Sequence, residues 1–136
     1  MKIVFVCKHN RFRSKVAETI FNKLNKNKSV MAESAGLVPD SAHPYVAESV
    51  IKIMDEMGYK VGGKPRQLTR GLLEGFDMLV IVANDIDKQF FHDFSGKILQ
   101  WDIPDCDQAD EKRIREIIDK IEGKVRGFVE SLNNYI

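Results

Sequence analysis

Cysteine is scarce in this sequence: Cys7 and Cys106 are the two that occur among 136 residues. Two cysteines are too few for the disulfide framework that holds small secreted domains together. We therefore expect a protein of the reducing cytoplasm, in which a thiol is free to take part in chemistry. The three histidines and two cysteines form no pattern with metal-ligand spacing, so neither a metal nor another cofactor is expected.

Long apolar runs are also lacking, as is an excess of charge of one sign. The apolar run at residues 3–6 is far too short for a membrane span or for the core of a signal peptide. Basic residues number 21 and acidic residues 20, which gives a formal net charge of +1. No nucleic-acid partner and no membrane partner are expected, and any preference for anions must come from a local site.

Strand patterns and helix patterns alternate along the chain. Stretches with the composition of buried strands occur at residues 2–7, 30–35, 78–82 and 98–99. Apolar residues at helical spacing predict helices over residues 16–24, 46–57, 69–75 and 114–132. Such alternation predicts βαβ crossovers, and therefore a single three-layer α/β domain over residues 1–136. Its central sheet should have about four parallel strands, with helices on both faces.

The segment that joins the first strand to the first helix combines residue types suited to anion chemistry. It contains a cysteine, five further residues, an arginine and a serine. Ligands of parallel sheets bind at the carboxyl ends of strands, and N–H groups at a helix N-terminus attract anions. The residues predicted to bind phosphate are Lys8, His9, Asn10, Arg11, Phe12, Arg13 and Ser14.

Within this loop, each side chain has a predicted role. Thiols at helix N-termini lose their proton readily, so Cys7 is expected to act as a nucleophile. Arg13 can offer two parallel donors to phosphate oxygens, and Ser14 can donate its hydroxyl proton to the thiolate. Asn10 tolerates the left-handed backbone that a tight loop needs. The alternative is that Cys7 is a small buried side chain at a strand end and Arg13 an ordinary helix-start residue.

The chain resembles the low-molecular-weight protein tyrosine phosphatase family and its relatives, the thioredoxin-coupled arsenate reductases. The segments that carry the resemblance are residues 2–14, 16–18, 33–36, 76–82 and 101–105. It implies that the protein is a phosphatase that hydrolyses phosphate monoesters through a cysteinyl-phosphate, with protein phosphotyrosine as one candidate substrate. Its partners would be a phosphate monoester or phosphoprotein substrate, and phosphate or other oxyanions in the loop. Phosphatases of the family usually have glycine where this chain has His9. A histidine before Asn10 resembles the reductase branch more closely.

Phosphate ester cleavage also needs an acid to protonate the departing oxygen, and the sequence offers Asp102, Asp105 and Asp107. By its position after Trp101, Asp105 resembles the family's general acid. The family usually has proline directly after that aspartate, where this chain has Cys106. The alternative is that all three aspartates are solvated groups in a polar loop.

Two other functions remain open at this point. Arsenate reduction in this family uses two further cysteines near the end of the third strand, and residues 82–88 contain none. A variant thiol route is the remaining possibility for a reductase, and thioredoxin would be a partner only then. A reversible disulfide between Cys7 and Cys106 is a related alternative, if their Cα atoms come within about 7 Å. The third reading is a non-catalytic oxyanion-binding or redox-responsive protein.

Overall fold

The structure, a computed structural model, describes residues 1–133. Its sheet contains four parallel strands, which are β1 (Lys2–Cys7), β2 (Met31–Gly36), β3 (Met78–Val82) and β4 (Lys97–Trp101). They lie in the order β2-β1-β3-β4, so that β1 and β3 occupy the centre. Both central strands are almost wholly buried, which explains their unbroken apolar sequences. The predicted four-stranded parallel α/β fold is confirmed.

Within residues 1–133, three α-helices and one 3₁₀ helix lie between the strands, and a fourth α-helix follows the last strand. The α-helices are α1 (Arg13–Leu24), α2 (Glu48–Glu56), α3 (Arg70–Leu73) and α4 (Glu111–Asn133). The segment after β3 forms a 3₁₀ helix at Lys88–Phe91. The second helix is shorter than the predicted span of 46–57, because its first helical residue is Glu48. It ends before Gly58, whose φ of 88° provides the left-handed turn expected there. No helix within residues 1–133 is long and apolar enough to cross a membrane.

Two apolar layers cover the faces of the sheet. The larger one joins β1 and β3 to α1, α2 and α4, and it includes the rings of Phe5, Phe21, Trp101 and Phe128. The ring centroid of Phe5 lies 5.7 Å from that of Phe21 and 5.8 Å from that of Trp101. Burial of each such ring contributes about 1.5–3 kcal/mol to folding. The smaller layer joins the other face to α3 and the 3₁₀ helix through residues such as Phe76 and Phe91.

Strand register brings the functional segments together at one edge of the sheet. Cys7, the last residue of β1, lies opposite Gly36, the last residue of β2. On the other side, the register of β3 and β4 places Val82 opposite Trp101. Because all strands are parallel, the segments that follow them meet at their carboxyl ends. The loop of residues 8–12 therefore lies between the segments that follow β2 and β3.

Candidate active site

Cys7 and Ser14 form the centre of the site. The Sγ atom of Cys7 lies 2.9 Å from Oγ of Ser14, and the backbone N–H of Ser14 points to the same sulfur at 3.4 Å. Both residues are buried, at 3% and 0% exposure. No side chain caps the start of α1 at Phe12, so the N–H groups of its first turn are not satisfied by a cap. The sulfur thus lies at a helix N-terminus, where negative charge is stabilised.

Asn10 determines which way the hydroxyl group of Ser14 points. Its Nδ2 donates to Oγ of Ser14 at 2.7 Å and to Oγ of Ser34 at 2.9 Å, while its Oδ1 accepts from N–H of Arg66 at 2.9 Å. Since Oγ of Ser14 accepts the amide proton, its own proton is free to point to the sulfur of Cys7. Ser34 in turn donates to Glu18 at 2.6 Å. The network extends from α1 through the loop to β2.

The backbone of Asn10 adopts a conformation that few residue types tolerate. Its φ is 58°, the one positive value at a non-glycine residue among those described. Gly36 makes this turn possible, because a Cβ atom there would lie 2.7 Å from the carbonyl carbon of His9 and 2.8 Å from the nitrogen of Asn10. Glycine at the end of β2 therefore allows the loop to pass directly over the strand. The left-handed backbone predicted for Asn10 is confirmed.

The guanidinium of Arg13 is buried and held by three hydrogen bonds. Nη1 donates to Oδ1 of Asp85 at 3.1 Å and to the carbonyl oxygen of Ile103 at 3.0 Å, and Nη2 donates to Oδ2 of Asp85 at 3.3 Å. A guanidinium carries five N–H donors. The three bonds use both donors of Nη1 and one donor of Nη2. The remaining donors, on Nε and Nη2, share one edge. Such an edge can bind two phosphate oxygens at once.

Asp85 is a residue of the candidate site that the sequence reasoning missed. Burial by itself raises the pKa of its carboxyl group, but the hydrogen bonds and charge of Arg13 outweigh burial and hold that pKa below its usual value. An ionised Asp85 therefore accompanies the cation of Arg13 at neutral pH. A signal was present in the sequence, because Asp85 follows the most apolar strand of the chain, at the carboxyl edge where ligands bind.

Asp105 lies across the site from the loop. Its Oδ2 is 3.9 Å from Nη2 of Arg13, and its side chain is 45% exposed. Together with Cys7 and the loop, Asp105 lines a pocket of about 40 Å³. That volume has room for roughly three water molecules, which suits a small oxyanion. Of the other two aspartates proposed from the sequence, Asp107 accepts from N–H of Ala109 and so stabilises a turn, and neither it nor Asp102 lines the pocket.

The remaining residues of the predicted phosphate loop have different surroundings. Lys8, His9 and Arg11 line the pocket together with Gln108. His9 is hydrogen bonded through Nδ1 to the carbonyl oxygen of Val38 at 2.8 Å, so that its ring is directed to the neighbouring loop. The ring of Phe12 is 4% exposed and belongs to the larger apolar layer. Phe12 can therefore contact an anion through its backbone and not through its ring.

Cys106 follows the proposed acid, and its thiol differs from that of Cys7. Burial raises the pKa of the Cys106 thiol, and the charges of Asp105 and Asp110 raise it further. Its side chain packs against the larger apolar layer, whereas Cys7 belongs to the smaller one. Both cysteines are free thiols in the structure. The disulfide between them stays a prediction.

A family model agrees with the resemblance based on these residues. The model of the low molecular weight phosphotyrosine protein phosphatases matches residues 2–135. The chain belongs to that family. Membership supports a phosphatase-type enzyme that binds oxyanions.

Individual members that are similar to this chain differ in their activities. A protein of Synechocystis sp., provisionally named a low molecular weight protein-tyrosine-phosphatase, is 28% identical over 97% of this chain and 96% of its own. The crystal structure of an arsenate reductase from Archaeoglobus fulgidus is also 28% identical, with a TM-score of 0.74 over 94% of this chain and 98% of that one. The YwlE arginine phosphatase of Geobacillus stearothermophilus has a TM-score of 0.85 over 98% and 94% of the two chains. Its identity is 18%, so the likeness is one of fold.

Proposed function

We propose that this protein hydrolyses phosphate monoesters through a covalent phosphate ester of Cys7. The observation that carries the proposal is the convergence of Cys7, Arg13 and Asp105 on one small pocket. The sulfur of Cys7 receives two hydrogen-bond donors from Ser14 at the start of α1. The free edge of Arg13 and the carboxyl group of Asp105 belong to the same pocket. This set supplies a nucleophile, an oxyanion-binding group and an acid.

In the first step, the thiolate of Cys7 would attack phosphorus while the bond from phosphorus to the ester oxygen breaks. The departing oxygen takes a proton from the carboxylic acid of Asp105, and the phosphoryl group is left on sulfur. The free donors of Arg13 and the N–H groups at the start of α1 would stabilise the charge on the equatorial oxygens. Asp85 acts as a positioning residue, because it holds the opposite edge of Arg13.

In the second step, a water molecule would attack phosphorus and give its proton to the carboxylate of Asp105. The phosphorus–sulfur bond breaks, which releases inorganic phosphate and restores the thiolate of Cys7. The hydroxyl group of Ser14 donates to the sulfur as negative charge returns to it. Asn10 supports this step because it occupies the acceptor side of that hydroxyl group.

The test is a single-turnover reaction with p-nitrophenyl phosphate, quenched in acid, followed by mass analysis of the chain. We expect one phosphate on Cys7 and a burst of p-nitrophenol. Cys7→Ser should remove both, and Asp105→Asn should lower turnover by about 10²–10⁴-fold, the usual contribution of a general acid. Tight phosphate binding without any turnover would instead indicate a non-catalytic oxyanion-binding protein.

Arsenate reduction is the second candidate, and the likeness to the A. fulgidus arsenate reductase favours it. Reduction of arsenate needs two electrons from thiols, and this chain has two cysteines in all. A disulfide between Cys7 and Cys106 would be the product within the chain, which thioredoxin would then have to reduce. Turnover of arsenate with thioredoxin that is lost in both Cys7→Ser and Cys106→Ser would support this route. Loss in Cys7→Ser alone would not.

A further inference from the structure

The pocket above Cys7 has cations at its rim that the proposed chemistry does not use. Arg13 is paired with Asp85, and Asp105 faces Arg13. Lys8 and Arg11 also line the pocket, but neither forms an ion pair with a carboxylate anywhere in residues 1–133. Two positive charges at the entrance of an anion site are therefore free for a ligand.

The guanidinium of Arg11 is held in place although it has no acidic partner. Its Nε donates to the carbonyl oxygen of Tyr45 at 2.8 Å, and its own carbonyl oxygen accepts from N–H of Ala47 at 3.3 Å. These bonds tie Arg11 to the segment between β2 and α2. The Nη groups of Arg11 have no hydrogen-bond partner among the described residues. A guanidinium fixed through Nε presents these donors at little entropic cost.

Nearby carboxylates are already occupied. Asp40, in the same segment as Tyr45, is hydrogen bonded to the backbone and to the ring of His43. Asp85, on the side of Lys8, is bound to both terminal nitrogens of Arg13. The charge of Arg11 helps to lower the pKa of Asp40, and the charge of Lys8 helps to lower that of Asp85, but neither cation forms an ion pair with these carboxylates.

The pocket offers little to a neutral aromatic group. Two of its lining residues carry rings: the ring of Phe12 is buried in the core, and the imidazole of His9 is hydrogen bonded to the carbonyl oxygen of Val38. The other side chains at the rim are polar or charged. Because the pocket itself has room for a small oxyanion, the rest of the substrate lies at its rim, where Lys8 and Arg11 are placed to contact it.

We propose that the substrates of this site carry a second anionic group next to the scissile phosphate, and that Arg11, assisted by Lys8, selects it. The inference rests on the proposed phosphatase function and adds the class of substrate to it. A carboxylate or a second phosphate would satisfy the chemistry. Such a group can belong to a small metabolite or to an acidic residue beside a phosphorylated side chain.

The test compares two esters that differ in one charge, 4-carboxyphenyl phosphate and 4-carbamoylphenyl phosphate. We expect kcat/KM of the wild type to be about tenfold higher for the carboxylate, the effect of roughly one charge-assisted hydrogen bond. Arg11→Gln should bring the ratio close to one, and Lys8→Gln should lower it. Lys28→Gln is the matched control, because this exposed lysine precedes β2 at the opposite edge of the sheet. Its ratio should equal that of the wild type.

A ratio of one in the wild type, or a ratio that Arg11→Gln leaves unchanged, would overturn the proposal. That failure is distinct from failure of the phosphatase function, in which neither ester reacts and no phosphate is trapped on Cys7. Two further pairs separate the sources of the anion: phosphotyrosine peptides flanked by Glu or by Gln, and 3-phosphoglycerate against glycerol 3-phosphate. Faster hydrolysis of the more anionic member in either pair supports the inference and identifies the source of the anion. Equal rates within both pairs contradict it.

Discussion

Arg13 and Asp85 form a two-point ion pair beside Cys7, with Nη1 3.1 Å from Oδ1 and Nη2 3.3 Å from Oδ2. The pair joins the start of α1 to the segment after β3, over 72 positions of sequence. It occupies the end-on donors of the guanidinium and leaves the edge with Nε for a ligand. Asp85 is thus placed to determine where the free edge of Arg13 points.

Asp85→Asn should therefore weaken catalysis without a change in the fold. The amide keeps one acceptor but loses the charge and the second acceptor, so Arg13 becomes less well oriented. We expect kcat/KM for p-nitrophenyl phosphate to fall about tenfold, which corresponds to about 1.4 kcal/mol. Steady-state kinetics and phosphate inhibition constants measure the effect.

Asp87→Asn is the control for that variant. Asp87 lies in the same segment, but its carboxylate accepts from N–H of Gln89 at the start of the 3₁₀ helix and does not contact Arg13. Its kinetics should match those of the wild type. Equal or higher activity in Asp85→Asn would contradict the positioning role.

Gly36→Ala tests the close passage of the loop over β2. The new Cβ would meet backbone atoms of His9 and Asn10 at 2.7 and 2.8 Å, and backbone cannot move aside as a flexible side chain can. We expect a folded protein, destabilised by about 1–3 kcal/mol. Its kcat/KM should be about 100-fold lower, because a displaced loop misaligns Cys7.

Gly62→Ala provides the comparison for Gly36→Ala. A Cβ at Gly62 meets no atom within 4 Å, and the residue is exposed. Urea unfolding and kinetics of this variant should be close to those of the wild type, within about 0.5 kcal/mol in stability. Normal activity of Gly36→Ala would show that the loop tolerates the added methyl group.

The sequence predicted those parts of the candidate site whose residues lie close together along the chain. The first strand, the cysteine at its end and the helix that follows lie within the first 24 residues, so their patterns could be read together. The partners of Arg13 could not be read in this way. Asp85 and Ile103 reach it because β3 lies beside β1 and β4 beside β3. Alternation of strands and helices predicts a parallel sheet but not the order of its strands.

Helix boundaries were less predictable for a related reason. The apolar spacing that begins at Val46 suggested a helix from there, but Ala47 has extended backbone angles, and its N–H donates to the carbonyl oxygen of Arg11. Ala47 thus lies against the loop after β1 through a tertiary hydrogen bond, and the first helical residue of α2 is Glu48. Local periodicity contains no information about such a bond.

When peroxide oxidises Cys7, we expect Cys106 to react too slowly to protect it by forming a disulfide. Thiolates attack far faster than thiols, and burial with the neighbouring aspartates keeps the pKa of Cys106 raised. We expect hydrogen peroxide to inactivate wild type and Cys106→Ser at equal rates, with equal recovery in dithiothreitol. Loss of the recovery in Cys106→Ser would instead support the disulfide between Cys7 and Cys106.

Tyr59 gives a prediction about stability and pH. Its ring is buried and its hydroxyl group donates to Glu122 on α4; burial, together with this acceptor, raises the pKa of Tyr59 to about 12. The unfolded chain loses this proton near its ordinary pKa of about 10. Stability from Tyr59 is therefore complete below pH 10 and is lost as the pH rises toward 12.

Tyr59→Phe should consequently lower the free energy of unfolding by about 1 kcal/mol at pH 7, the usual value of one hydrogen bond. Glu122 keeps a partner in Arg126, so no carboxylate is left alone. The difference between variant and wild type should shrink at pH 11, because the wild type has then lost part of the contribution. Urea unfolding at both pH values measures this, and absorbance titration should show the loss of the tyrosine that ionises at about 12. Tyr45→Phe, at an exposed ring, should change neither the free energy of unfolding nor the part of the titration that occurs at about 12. A pH-independent difference for Tyr59→Phe would show that packing rather than the proton governs its effect.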